Sequence, residues 1–269
     1  MGRLSERDDV LSIFASVLLL GYASVASAQA QPERIDGHPN LNGVWQAAGT
    51  AHWNLEDHSA EALPGFWELG ALASIPAGRS VVVGGEIPYL PEALAQRADN
   101  RADWPASDPE AKCYQPGIPR ATYLPYPFRI LQGVDDILFA YEFASANRVV
   151  HMGERVESPI ESYMGWSNGR WEGDTLVIEV TDFNGLTWFD RAGNYHSNAL
   201  AVTERYTPRG TNHIDYEATI EDPDTFSRPW TIAMPLYRRI EEHAQILEYK
   251  CVEFAENLLY RHLSNIEDD

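Results

Sequence analysis

The sequence predicts an all-β, mainly antiparallel protein that forms a barrel or a closely related sandwich. Several short segments alternate between apolar and polar residues, and turn-forming residues separate them. Proline is also concentrated in one stretch, which predicts a Pro-rich irregular segment beside the sheet. We expect only one or two short helices.

The alternation is clearest in the second half of the chain. In residues 174–182, Leu176, Ile178 and Val180 point one way and polar residues the other, as in a half-buried strand. Residues 213–222 repeat this pattern. Further strands are predicted at residues 137–143, 147–152, 199–206, 229–237 and 245–252. Turn residues such as those at 208–212 favour an antiparallel meander.

Eight of the 17 prolines lie between residues 84 and 127. Because proline cannot donate to a sheet ladder, we expect this segment to wrap the sheet or to cover one mouth of the barrel. One helix is predicted at about residues 90–101, with Pro91 in its first turn. Residues 29–269 are predicted to form a single barrel-like domain.

The N-terminus carries an apolar run from Val10 to Val25, followed by Ala26-Ser27-Ala28. This pattern predicts a signal peptide over residues 1–28 and a periplasmic or secreted protein. An uncleaved anchor is the alternative, because acidic residues outweigh basic ones before the apolar run. In an oxidising compartment, the only two cysteines, Cys113 and Cys251, are expected to form a disulfide.

The formal net charge is −20. Nucleic acids and anionic membrane surfaces are bound through clustered Lys and Arg, so neither is an expected partner after signal cleavage. A small molecule is the partner that we expect. The oligomeric state cannot be inferred from the sequence.

A long connection between two predicted strands, TWFDRAGNYHSNAL at residues 187–200, concentrates reactive side chains. We predict that His196 is a general base or acid, that Asp190 orients it, and that Arg191 or Arg205 stabilises a developing oxyanion. Alternatively, residues 190–193 form an ordinary turn in which Asp190 bonds its own backbone.

Glu204 shares its strand face with Leu200, Val202 and Tyr206, so its carboxylate is predicted to point inward and to join the catalytic group. Arg170, Arg205 or Arg228 would pair with it, and a structural ion pair is the alternative. The aromatic side chains predicted to contact substrate are Trp188, Tyr195, Tyr206 and Trp171.

Residues 165–169 match the G-x-S-x-G motif of hydrolases, but strand-like residues follow where a helix is needed. We therefore interpret the motif as a Gly-rich turn rather than a Ser167 nucleophile. His52 and His58 lie near Asp57 without an established metal-ligand spacing. We predict neither a metal nor an organic cofactor.

Several motifs together resemble a large uncharacterised family of exported bacterial proteins. The resemblance covers about three quarters of the chain, and it implies export without implying an activity. This chain departs from the family at Trp166, where members often have His. The motifs are LNGVW at 41–45, CYQPGIPR at 113–120, PYPF at 125–128, GRWEGDTLV at 169–177, TWFDRAGNYHS at 187–197, YEATIEDP at 216–223, RPWT at 228–231 and EYKC at 248–251.

The Gly43-x-Trp45 motif also resembles the first strand of lipocalins and other calycins, which implies a barrel with an internal pocket. We therefore expect an exported small-molecule-binding barrel with acid–base activity as a lyase, isomerase, cyclase or hydrolase acting on a partly apolar or aromatic substrate. The alternatives are a periplasmic carrier and a sandwich that binds sugars or an envelope protein. An exposed aromatic platform would favour the sandwich.

Overall fold

The computed structural model describes residues 31–63, 74–253 and 255. The predicted signal peptide lies outside these residues. The strands in chain order are β1 (Arg34–Ile35), β2 (His38–Pro39), β3 (Gly43–Ala47), β4 (Glu61–Ala62), β5 (Ser74–Ile75), β6 (Phe128–Gln132), β7 (Asp136–Tyr141), β8 (Asn147–Met152), β9 (Trp166–Glu172), β10 (Thr175–Thr181), β11 (Ala201–Pro208), β12 (His213–Glu221) and β13 (Trp230–Arg238).

Nine of these strands close into a barrel in the order β10-β11-β12-β13-β3-β6-β7-β8-β9. This confirms the predicted all-β fold and selects the barrel over the sandwich. Every neighbouring pair in the barrel is antiparallel except β8 and β9, which are parallel. The connection at residues 153–165 returns to the barrel end at which β8 begins, so β9 starts there and runs parallel to β8.

Most predicted strands are present within two residues of their predicted ends, but the strand at 245–252 is wrong. Residues 244–250 have no regular secondary structure. Two barrel strands, β6 and β9, were not among the predicted segments, whereas the first strand implied by the calycin resemblance at Gly43-x-Trp45 is present as β3. The Gly-rich turn expected at 165–169 is also wrong, because β9 begins at Trp166 and the turn follows at Gly173.

Side chains fill the barrel interior. Leu176, Ile178 and Val180 of β10 are fully buried, as the alternation predicted. Trp45 of β3 is buried, its indole N–H donates to the carbonyl of Leu41, and the guanidinium of Arg238 lies 4.4 Å from its ring centre. The first and last barrel strands are thereby joined by a cation–π contact.

Four connections meet over the barrel end where β3, β7, β10 and β12 finish. We call them the cap: residues 48–127, 142–146, 182–200 and 222–229, insofar as the structure describes them. The helix α1 (Pro91–Ala102), close to its predicted position, and the short helix α2 (Arg120–Tyr123) lie in the first of these. Tyr123 donates to the carbonyl of Phe189, and Tyr89 pairs with Phe226, so the connections pack on one another.

The predicted disulfide between Cys113 and Cys251 is present, with Cα atoms 5.6 Å apart. It joins the Pro-rich part of the cap to the irregular segment after β13 rather than to a last strand. Among the described residues, no helix is long and apolar enough to cross a membrane.

Candidate ligand-binding site

Asp190 is completely buried and organises its own loop. Its carboxylate accepts hydrogen bonds from the backbone N–H groups of Leu55, Ala192 and Asn194 and from the side-chain amide of Asn194. Burial nevertheless raises the pKa of Asp190 to about 6, against the lowering effect of these donors. The carboxylate therefore fixes the turn and ties it to residue 55.

Arg191 points away from Asp190 into a network of buried charges. Its guanidinium binds both carboxylate oxygens of Glu110, at 2.6 and 3.1 Å, and lies 4.3 Å from the ring centre of Trp53. Glu110 also accepts from Arg120, which binds Asp108 through two further hydrogen bonds. Burial opposes ionisation of Glu110, but Arg191 and Arg120 hold its pKa well below the usual range.

His196 is also buried, but its hydrogen bonds go to other groups than Asp190. Its Nδ1 lies 2.7 Å from the carbonyl oxygen of Ser197, and its Nε2 lies 2.7 Å from the hydroxyl of Thr187. Nδ1 must donate to the carbonyl, and in the neutral form of the ring Nε2 then accepts from Thr187. Burial lowers the pKa of His196, which favours this neutral form.

Trp188 and Tyr195 pair across the same loop and form part of the cap. Trp188 is 8% exposed, and the Tyr195 ring stacks against Tyr89 at 6.2 Å. This loop therefore does not present the exposed aromatic platform that the sugar-binding sandwich would need.

Glu204 points inward, as predicted, and is fully buried in the barrel. Its partner is Arg148 of β8, at 2.6 Å, rather than Arg170, Arg205 or Arg228. The other carboxylate oxygen accepts from the hydroxyls of Tyr206 and Tyr216, at 2.9 and 2.8 Å. A buried carboxylate with three donors, one of them cationic, satisfies the requirement for burying charge.

Arg205 and Trp171 lie apart from the cap. Arg205 is on the outer face of the barrel, where it pairs with Glu172 at 2.9 Å. Trp171 lies at the far mouth, stacked on His38 with ring centres 4.6 Å apart. The structure thus distributes the predicted site residues over the cap, the barrel interior, the outer face and the far mouth.

Ser167 and Trp166 have hydrogen-bond partners, whereas Nδ1 of His52 and Nε2 of His58 have none among the described residues. Ser167 is buried inside the barrel and accepts a long hydrogen bond from Arg148. The indole of Trp166 donates to the carbonyl of Val156. His52 is buried, and burial together with Arg191 lowers its pKa to about 4. In the described part of the chain, no group of His, Cys, Asp or Glu is arranged to hold a metal.

One cleft in the cap combines a polar end with aromatic walls. This cap cleft has a cavity volume of about 100 Å³ and is partly open to solvent. Asp108, Glu110 and Arg191 line its polar end. Its aromatic wall includes three mutually contacting rings, with centres 4.9 to 5.6 Å apart, and a separate indole; the residues are Tyr126, Phe143, Tyr249 and Trp104.

The cap cleft brings together one predicted catalytic residue, Arg191, and one half-cystine, Cys251. Sequence reasoning missed Glu110 and Trp104 because each lies in the Pro-rich segment without periodicity. For Arg148 a signal was present: it shares a strand face with Val150 and Met152.

A comparison with protein-family models finds no match to this chain, and a comparison with curated proteins finds none either.

Proposed function

We propose that this protein is exported and binds a small, partly aromatic molecule in the cap cleft. The observation that carries the proposal is the combination, in one cleft, of aromatic walls and a fixed ion pair between Arg191 and Glu110. Sites for small molecules are mostly apolar, with a few polar groups that fix the ligand's orientation. A β-barrel is compatible with such binding.

Ion pairs orient the side chains at the polar end of the cleft. Arg191 uses Nε and Nη2 for Glu110, and no hydrogen bond within the described residues uses its Nη1. Glu110 is held in turn by Arg120, which is 1% exposed. A carbonyl, phenol or carboxylate oxygen of a ligand would meet an oriented donor there, with little loss of side-chain entropy.

Export is supported by three features of the chain. The apolar run and small-residue site at residues 10–28 have the order of a signal peptide. A disulfide of this kind persists in oxidising compartments. The resemblance of several motifs to an exported bacterial family points the same way. Cleavage after Ala28 is checked by the N-terminal sequence of the mature protein.

Acid–base catalysis by the loop at 187–200 is the second candidate. One observation favours it: the hydroxyl of Thr187 donates to the neutral ring of His196, which is a geometry suited to proton transfer. Both side chains are at most 3% exposed, so a substrate would reach them only after the loop moved. If His196→Ala and Asp190→Ala proteins fold normally and keep full turnover, these roles are excluded.

The binding proposal is tested by titrating a panel of small phenols and aromatic carboxylates, with calorimetry and thermal shift as the readouts. We expect Tyr126→Ala to weaken the binding of any hit about tenfold, because it removes one aromatic contact and its buried area. Tyr237→Ala is the matched control, since Tyr237 is partly exposed on β13 and does not line the cap cleft. Equal effects of the two substitutions would refute binding in this cleft.

A further inference from the structure

Both lysines of this chain lie beside its two cysteines. Lys112 precedes Cys113 and Lys250 precedes Cys251, and the sequence contains no other lysine. The disulfide holds the Cα atoms of the two cysteines 5.6 Å apart. Because neighbouring Cα atoms along a chain are about 3.8 Å apart, the Cα atoms of the two lysines lie within about 13 Å of each other. The disulfide thus brings the two lysines together from segments that are far apart in sequence.

The two lysines border the cap cleft. Ala111, which precedes Lys112, and Cys251, which follows Lys250, both line this cleft. Lys112 is partly exposed and Lys250 is exposed. Two positive charges therefore lie at the rim of the cleft, in a chain whose net charge is −20.

Neither lysine is paired with an acid. Within the described residues, no salt bridge includes Lys112 or Lys250, although Glu248 and Glu253 are close to Lys250 in sequence. Most of the described arginines, in contrast, form salt bridges with carboxylates. A paired charge has much of its field cancelled by its partner, whereas these two ammonium groups can attract an anion in the cleft.

The polar end of the cleft is neutral as a whole but offers one free donor. The carboxylates of Asp108 and Glu110 are matched there by the guanidinium groups of Arg120 and Arg191. Nη1 of Arg191 makes no hydrogen bond within the described residues and is not among their buried unpaired atoms. A ligand oxygen can therefore accept from this nitrogen while every ion pair at this end stays intact.

We infer that the ligand of the cap cleft is an aromatic carboxylate, an inference that rests on the proposed function. Its ring would contact the aromatic wall that includes Tyr126, and its carboxylate would accept from Nη1 of Arg191. A chain with a charge of −20 repels anions in general, so an anionic ligand needs a local positive field. Lys112 and Lys250 supply that field at the rim.

The two lysines act over a distance rather than by direct contact. At about 10 Å in water and at low ionic strength, one unit charge changes the affinity for an anion about twofold. Salt screens this interaction, because the Debye length is about 8 Å at physiological ionic strength. Binding of a carboxylate should therefore weaken with added salt, whereas binding of an uncharged analogue should not.

Calorimetric titration of the mature, disulfide-bonded protein with benzoate and with benzamide tests this inference, because benzamide has the same ring without the charge. At low ionic strength, benzoate should bind about tenfold more tightly than benzamide. The variant Lys112→Gln/Lys250→Gln should weaken benzoate binding about fourfold and leave benzamide binding unchanged. Lys112→Arg/Lys250→Arg should keep the affinity for benzoate, because it keeps both charges.

Arg155→Gln/Arg209→Gln is the matched control, because it removes the same charge from two exposed side chains that do not line the cap cleft. It should leave benzoate binding unchanged. Equal affinities for benzoate and benzamide, or equal losses in the lysine and control variants, would overturn the inference. Weakening of both ligands by Tyr126→Ala would then still support the proposed function. Binding of neither probe would also overturn the inference, while a phenol bound in the wider panel would keep the proposed function.

Discussion

At the scale of single residues, Asp190 gives the cap a pH dependence of unusual sign for a carboxylate. Its folded-state pKa of about 6 lies above the value of about 3.9 expected in the unfolded chain. The folded state therefore binds the extra proton between these values. Protonated Asp190 therefore adds to the free energy of unfolding below about pH 4. This contribution, about 3 kcal/mol, is lost as the pH rises through 6.

The measurement is the free energy of urea unfolding of the wild type minus that of Asp190→Asn, followed from pH 4 to pH 7. We expect this difference to fall as the pH rises.

His52 supplies the opposite case, because its pKa of about 4 lies below the unfolded value of about 6.5. Its contribution is present above about pH 6.5 and is lost as the pH falls through 4. The corresponding difference for His52→Phe should therefore rise with pH, and slopes of the same sign would contradict the account.

The ion pair inside the barrel makes a second prediction at this scale. Removing either Arg148 or Glu204 leaves the other charge buried without its partner, which should cost about 3–5 kcal/mol. The double variant Arg148→Met/Glu204→Gln should cost much less than the sum of the two single changes. Urea unfolding of all four proteins gives the coupling energy, and additivity within about 0.5 kcal/mol would mean that the pair does not act as a unit.

Prediction from sequence succeeded at the residue scale where a face was periodic. The inward direction of Glu204 follows from alternation along β11. Its partner could not be identified, because β8 and β11 are brought together only by closure of the barrel. The separate hydrogen bonds of Asp190 and His196 were equally unpredictable, since side chains six residues apart in an irregular loop have no fixed mutual direction.

At the scale of elements, the disulfide holds one wall of the cap cleft. Cys251 lines that cleft, and Cys113 follows Glu110 through a turn in which its N–H donates to the carbonyl of Glu110. Cross-linking residues 138 positions apart restricts the unfolded chain strongly. The variant Cys113→Ser/Cys251→Ser should therefore unfold with a free energy about 2–5 kcal/mol lower than the wild type.

Thermal and urea unfolding measure this loss. Reduction of the wild type should reproduce it, while the same reductant should leave the double serine variant unchanged. Equal stability of the oxidised and reduced wild type would show that the disulfide does not stabilise the fold.

The strand at 245–252 illustrates where element prediction failed. Apolar and polar residues alternate there, but Tyr249 and Cys251 line the cap cleft instead of pairing in a sheet, and Leu247 is 62% exposed. Strand β6 was missed because it is only five residues long, and β9 because Gly165 and Gly169 resemble a turn. Periodicity indicates that a face is buried without indicating what buries it.

At the scale of the whole molecule, the barrel was predictable and the cap cleft was not. Repeated short amphipathic strands favour a closed or double-layered sheet whatever their order. The lining of the cap cleft comes from segments near residues 63, 104–111, 126, 143, 191 and 249–255. No local pattern relates segments so far apart, and the parallel pairing of β8 with β9 is likewise a property of the closed barrel.

The most direct test of the central claim uses molecules that the protein would meet. Mature wild-type protein and the Tyr126→Ala variant are each incubated with a small-molecule extract of the source organism, and bound compounds are identified by mass spectrometry after denaturation. We predict an aromatic compound that the wild type retains, that Tyr126→Ala retains far less, and that returns intact. A compound retained equally by both proteins, or none retained by either, would contradict binding in the cap cleft.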